Sequence, residues 1–207
     1  MTLAALIAIY FVHLAAAISP GPAVLLAART SLNEGMARGV YLSIGIGLGA
    51  CVWAVAAMFG LAIVFQVAPA LLIALKVIGA GYLLYLAYKL WKHAPEPMAT
   101  DLPDAPGTRK RGPLGFVWLG IATQLANPKP AVFFGTIFLT FIPPHAPVWA
   151  YAAILGIVMF NDCGWNILVS RIFSLDRTRR GYLSLKTTID RIFGGLLAAL
   201  GLKLALT

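Results

Sequence analysis

Ser19-Pro20-Gly21-Pro22-Ala23 and Asn127-Pro128-Lys129-Pro130-Ala131, placed 108 residues apart, decide how this chain folds. Each sets two prolines, one residue apart, behind a small polar side chain and inside a long apolar stretch. Proline lacks the N–H a helix needs, and its ring clashes with the carbonyl four residues back. The carbonyls of Ala16 and Ile18, and of Gln124 and Ala126, are therefore expected to lose their helical partners. Bare backbone at membrane depth is tolerated only where protein buries it or where it lines a watery cavity. Paired breaks at matching places in two halves are the sequence pointer to a binding site between those halves.

Membrane depth is the right setting, because 60% of the 207 residues are hydrophobic and only 11% are charged. A soluble domain carries roughly 25% charged residues, and the mean hydropathy here is +0.87. Stretches near 3–28, 39–65, 70–91, 114–141, 148–170 and 189–206 approach the length a spanning helix needs, roughly 20 residues. The expected fold is an all-α integral membrane protein of six transmembrane helices, with spans one and four broken by proline. Residues 94–113, rich in proline and charge, read as a flexible linker between 1–93 and 114–207. Three spans per half force the second half to insert upside down. The repeated motif then implies two inverted three-helix repeats related by a pseudo-two-fold axis in the membrane plane.

Charge supports the same topology. Thirteen of the sixteen Lys and Arg residues lie in or beside the first, third and fifth connections, whereas Gln66–Pro69, Pro143–Pro147 and the N-terminus have none. Basic connections stay on the cytoplasmic side, so both termini are expected outside, or periplasmic. The net charge of +9 is thus a topology signal, and no nucleic-acid partner is expected. Ala15-Ala16-Ala17 resembles a signal-peptide cleavage site, but no positive charge precedes the apolar run, so the segment is expected to remain as span one.

Polar groups inside the spans are the candidates for chemistry, since each buried charge costs roughly 2.5–3.5 kcal/mol on insertion scales. Lys129 lies inside the break of span four, and Asp162 is the one acid expected inside a span. An ion pair between them would relieve both costs, either as a working pair or as a pin between helices. Asn166 shares the Asp162 face, with Asn161, Asn127 and Gln124 nearby. His13, two turns before Pro20, is either a proton relay or a hydrogen-bonded structural histidine. Glycines at 45, 47 and 49, at 79 and 81, and at 194, 195 and 201 read as close-packing faces. Lys76 and Lys203 read as snorkelling anchors, and Trp91, Trp118 and Trp149 as interfacial belts. Gly-x-Ser-x-Gly, His-Glu-x-x-His and Cys/His metal spacings are absent from the sequence, so neither enzyme chemistry nor a cofactor or metal is expected.

Ser19-Pro20-Gly21-Pro22, the glycines of span two, Leu75-Lys76-Val77-Ile78-Gly79-Ala80-Gly81-Tyr82-Leu83, the basic linker and Ala126-Asn127-Pro128-Lys129-Pro130 follow one another in a telling order. In that order and spacing the chain resembles the LysE/RhtB amino-acid exporters over essentially its whole length. The resemblance implies a bacterial inner-membrane protein that exports amino acids or related small metabolites, driven by an ion gradient, with protons the expected ion. Ser19, Pro20, Gly21, Pro22, Gln124, Asn127, Pro128, Lys129 and Pro130 are the expected substrate-binding residues. Backbone donors where helices restart after Pro22 and Pro130 suit a carboxylate, and the freed carbonyls suit an ammonium group. Asp162 and His13 are the candidates for proton coupling. The expected partners are the small-molecule substrate and the lipid bilayer, with a homodimer left open. Two other readings stand beside this one: a membrane thiol-redox carrier using Cys51 and Cys163, and an assembly scaffold whose prolines only shape the bundle.

Overall fold

The computed structural model describes residues 1–19, 21–67, 69–96, 111–143 and 146–206. Among them it forms α-helices only: α1 (Leu3–Ile18), α2 (Pro22–Glu34), α3 (Met36–Val67), α4 (Pro69–His93), α5 (Pro113–Leu125), α6 (Pro128–Phe141), α7 (Val148–Phe173) and α8 (Asp176–Leu206). Pro20, His145, the side chains of Lys76 and Pro128, and most of the linker lie outside the described residues.

The prolines divide spans one and four where the sequence predicts. α1 ends at Ser19, Gly21 is the extended N-cap of α2, and Pro22 takes the first helical position, where its missing N–H costs nothing. The axes of α1 and α2 bend by 60° at this break. α2 stops at Gly35, whose φ of 88° needs a residue without a Cβ. In the second motif the helix restarts earlier than predicted. Asn127 caps α6 by accepting from Lys129 N at 3.1 Å, so Pro128 is the first helical residue and Pro130 falls within the first turn.

The sixth span departs furthest from expectation. α8 begins at Asp176, and its buried residues Tyr182, Lys186, Asp190, Gly194, Leu197, Leu200 and Leu204 recur every three or four positions along one face. Lys186 is therefore a packed helical residue rather than loop. Asp190 is a second acid inside a helix, where Asp162 alone was expected. By length and composition α3 (over Met36–Gly60) and α7 are long and apolar enough to cross a membrane, and α1 with α2 passes as one bent span.

α3 and α7 pack together at the centre, and α3 also carries α5 while α4 packs on α8. The contact between α3 and α5 is backbone to backbone: a Cβ added at Gly45 would fall on the Val117 carbonyl, and one at Gly120 on that of Leu42. Two apolar cores result. One includes Ala50, Leu83, Phe134, Ile154, Val158 and Leu197, and the other Ala27, Leu42, Ile46, Phe116, Val169 and Phe173. Along α7 the polar residues Asn161, Asp162 and Asn166 fall between Val158 of one core and Val169 of the other, so a polar layer separates the two. Trp91 and Trp149 are exposed near helix ends, where an interfacial belt belongs, whereas Trp118 is exposed midway along α5.

Candidate functional site

The polar layer encloses a cavity of about 30 Å³, room for a water molecule or so. Its wall brings together residues from five elements: His13, Gly21, Gln124, Asn127, Lys129 and Asp162. Ser19, Pro22 and Asn127 also reach a larger vestibule of about 480 Å³, which shares Gly21 and Lys129 with the small cavity. Two proline breaks far apart in sequence thus meet, with Lys129 at the junction of both spaces.

Lys129 ties the breaks directly. Its Nζ donates to the carbonyl of Ala16 at 3.1 Å and to that of Ser19 at 2.9 Å. Those carbonyls lie at the C-terminal end of α1, the negative end of the helix dipole, where a cation is stabilised. The expected ion pair with Asp162 is not what the described residues make. Asp162 instead has Oδ2 at 3.2 Å from His13 Nε2, and its Oδ1 accepts from Gln124 Nε2 at 3.4 Å. Lysine is drawn to the freed carbonyls because the break exposes them within its reach. Asp162 is then left to the histidine of α1, packed against α7.

Asn161 ties into the same pair. Its Nδ2 donates to Tyr10 O at 3.0 Å and lies 3.3 Å from His13 Nδ1. With Nδ1 accepting from Asn161, Nε2 is the ring nitrogen left to donate to the Asp162 carboxylate. Phe134, a member of the core that holds Ile154 and Val158, stacks on the ring with centroids 5.3 Å apart. Asn166 Nδ2 donates back to the Asp162 carbonyl at 2.8 Å. Gln124 Oε1, Asn161 Oδ1 and Asn166 Oδ1 are buried without a hydrogen-bond partner among the described residues. Three idle acceptors in one layer leave it able to receive donors from a bound molecule.

The two helix restarts are chemically unequal, contrary to the prediction that both offer backbone donors. At α6, Pro128 and Pro130 have no N–H, and the N–H of Lys129 is taken by Asn127. At α2 no side chain caps the helix, and Ala23 and Val24 both line the small cavity. First-turn N–H groups have no intrahelical acceptor, so of the two restarts it is α2 that has donors without a side-chain cap among the described residues, the kind that suit an anion.

Sequence reasoning missed Lys186 and Asp190, which line the vestibule. The signal was present in the spacing: Lys and Asp four apart, in register with Tyr182 and Gly194, describe one helix face. Cys51 and Cys163 are free thiols. Cys51 Sγ lies 3.8 Å from the Leu155 carbonyl, and Cys163 packs beside Gly47, so each thiol occupies its own level of the α3–α7 contact. The thiol-redox reading gains no support from this placement.

Comparison with known proteins agrees with the sequence resemblance. Residues 14–207 match the family described as LysE type translocator. The chain is 29% identical over 196 residues to the threonine efflux protein of Escherichia coli (strain K12), covering 95% of each. It is 32% identical over 194 residues to the homoserine/homoserine lactone efflux protein of Salmonella typhi, covering 91% of this chain and 89% of that relative. It is also 25% identical over 191 residues to the uncharacterized membrane protein YahN of E. coli (strain K12), covering 90% of this chain and 82% of that one. No solved structure matches it. The family match spans nearly the whole molecule, through both proline motifs and, His13 apart, the residues that gather around them, and the chain belongs to the LysE type translocators.

Proposed function

We propose that this protein exports small polar amino acids, of the threonine and homoserine kind, from the cytoplasm across a bacterial inner membrane. The observation that carries the reading is the convergence of Lys129, the uncapped start of α2 and the Asp162–His13 pair on one cavity. A zwitterion needs donors for its carboxylate and acceptors for its ammonium group. Lys129 and the N–H groups of Ala23 and Val24 are the donors. Asp162 and Gln124 Oε1 are the acceptors. At about 30 Å³ the cavity is too small for an amino acid, so passage requires it to widen.

Proton coupling follows from the same pair. A proton arriving at His13 Nδ1 would face the Asn161 amide hydrogens. The amide must then turn its unpartnered Oδ1 to the ring and give up Tyr10. Charging the histidine thus loosens a contact between α1 and α7 next to the substrate.

The six-span, inverted-repeat topology is supported by which helices touch. A two-fold that exchanges α1, α2, α3 and α4 with α5, α6, α7 and α8 pairs α3–α5 with α7–α1, α3–α6 with α7–α2, and α2–α5 with α6–α1; all six contacts occur. Three contacts lack their counterpart among the described residues: α2 packs on α3, α1 on α8 and α4 on α6, with no comparable contact of α6 with α7, of α5 with α4 or of α2 with α8. The vestibule lies there, between Pro22 of α2 and Lys186 of α8. Closing that gap while parting α4 from α6 is the alternation that an inverted repeat allows. The vestibule opens towards the basic ends of α4 and α8, which the positive-inside rule puts in the cytoplasm with both termini outside.

Efflux from cells preloaded with labelled amino acids tests the function, with Lys129→Ala alongside. The expected outcome is efflux of threonine or homoserine that falls by about tenfold or more in the variant at equal membrane abundance. No efflux of any amino acid from cells holding the wild-type protein overturns the reading.

A further inference from the structure

The vestibule has a size ordinary for a site that holds a small solute, about 480 Å³. One wall is the basic half of α8, where Lys186 and Asp190 sit one turn apart and both are buried. Lys186 Nζ has its full set of acceptors: Asp190 Oδ2 at 2.7 Å, and the carbonyls of His93 and Ala94 at 3.2 and 3.3 Å. The lysine therefore closes the C-terminal end of α4. Asp190 is not satisfied in the same way. It is 2% exposed, and its Oδ1 has no hydrogen-bond partner among the described residues. An idle carboxylate oxygen in a buried place is costly. The clamp on α4 does not require it, because the two carbonyls already anchor Lys186.

The same vestibule is also lined by Asn127, Lys129, Gly21 and Pro22. One cavity therefore carries both a cation and an acid with a spare acceptor. Lys89 and His93 also border it. Lys89 Nζ lies over the Tyr85 ring and His93 Nδ1 is held by Glu96, so neither is described as pairing with Asp190. The carboxylate torsion of aspartate is broad, and a modest turn presents Oδ1 to the cavity.

We propose that the vestibule is a docking site for the zwitterion on the basic side. Asp190 takes its ammonium group while its carboxylate faces Lys129 and α2, before the solute moves to the central cavity. The site rests on the export reading and extends it with a second ammonium acceptor, one that sets apparent affinity rather than turnover.

The test uses the full chain reconstituted in lipid vesicles, with L-threonine supplied on the basic side. Asp190→Asn keeps Lys186 on its two carbonyls, so the fold is expected to hold. The expected result is a half-saturating concentration raised roughly tenfold with the maximal rate within about twofold, and recovery in Asp190→Glu. An unchanged half-saturating concentration, or a fall in maximal rate alone, overturns the site. Should the asparagine variant not insert, Tyr82→Cys in a Cys51→Ser/Cys163→Ser background replaces it. L-threonine is expected to slow modification of that cysteine by a charged thiol reagent, and absence of protection overturns the site. Wild-type vesicles that carry no amino acid bring down the export reading and the site together. Wild-type transport with Asp190→Asn indistinguishable from it brings down the site alone.

Discussion

Lys129 illustrates how a single charge is made tolerable at depth. A lysine in a span is expensive, and two carbonyls left bare by the other half of the molecule receive it. The lysine and the break in α1 therefore need each other: without Lys129, the carbonyls of Ala16 and Ser19 lose their donor. Asp162 is made tolerable by His13 and Gln124. Its replacement by asparagine removes the charge but keeps an oxygen for Gln124. In an efflux assay across external pH 5.5 to 8, Asp162→Asn is expected to flatten the pH dependence and to lower the rate. A variant that exports at the wild-type rate with the wild-type profile would remove Asp162 from the coupling mechanism.

At the scale of elements, two proline motifs of the same outline make two different helix starts. α2 begins on an uncapped glycine and keeps donors free, whereas α6 begins on a capping asparagine and spends its only early N–H on it. The difference lies in Gly21 against Lys129 and Ser19 against Asn127, and under the proposed function it is α2 that would meet the substrate's carboxylate. Close packing of α3 on α5 holds these starts in place. Gly120→Val would drive a side chain into the Leu42 carbonyl, where only backbone could move. Overpacking of this kind costs about 1–3 kcal/mol, and a lowered thermal midpoint of the detergent-purified protein is the expected readout. Gly81 has open space beside it, so Gly81→Ala is expected to leave the midpoint within a degree or two and serves as the control.

At the scale of the whole molecule, the way α2 and α8 face each other matters most. They make no substantial contact among the described residues, although α2 packs on α7 and α8 on α4. The vestibule is bordered by Pro22 of α2 and by Lys186 and Asp190 of α8. The thiols lie elsewhere, at the contact of α3 with α7. Cys51→Ser/Cys163→Ser is accordingly expected to export at no less than about half the wild-type rate at equal abundance. Loss of export in the double variant that a reductant mimics in the wild type would revive a redox role.

The all-helical architecture, the two breaks, the basic connections, and Lys129 and Asp162 as charges within apolar helices were all legible in the chain itself. They follow from local rules: apolar length, the missing proline N–H and the cost of charge in hydrocarbon. Partnership was not legible. Lys129 was free to meet Asp162 or bare carbonyls, and His13 was free to stand alone. The choice depended on how far α1, α6 and α7 lie from one another once packed. Lys186 and Asp190 were hidden for the same reason, since the charges of 176–191 look like a solvated loop until α8 extends and seats one face of them on α4. Sequence determined which groups would be costly to bury, because that cost is local. Only the tertiary structure decided which partner relieves each cost, because that depends on distances set by the whole bundle.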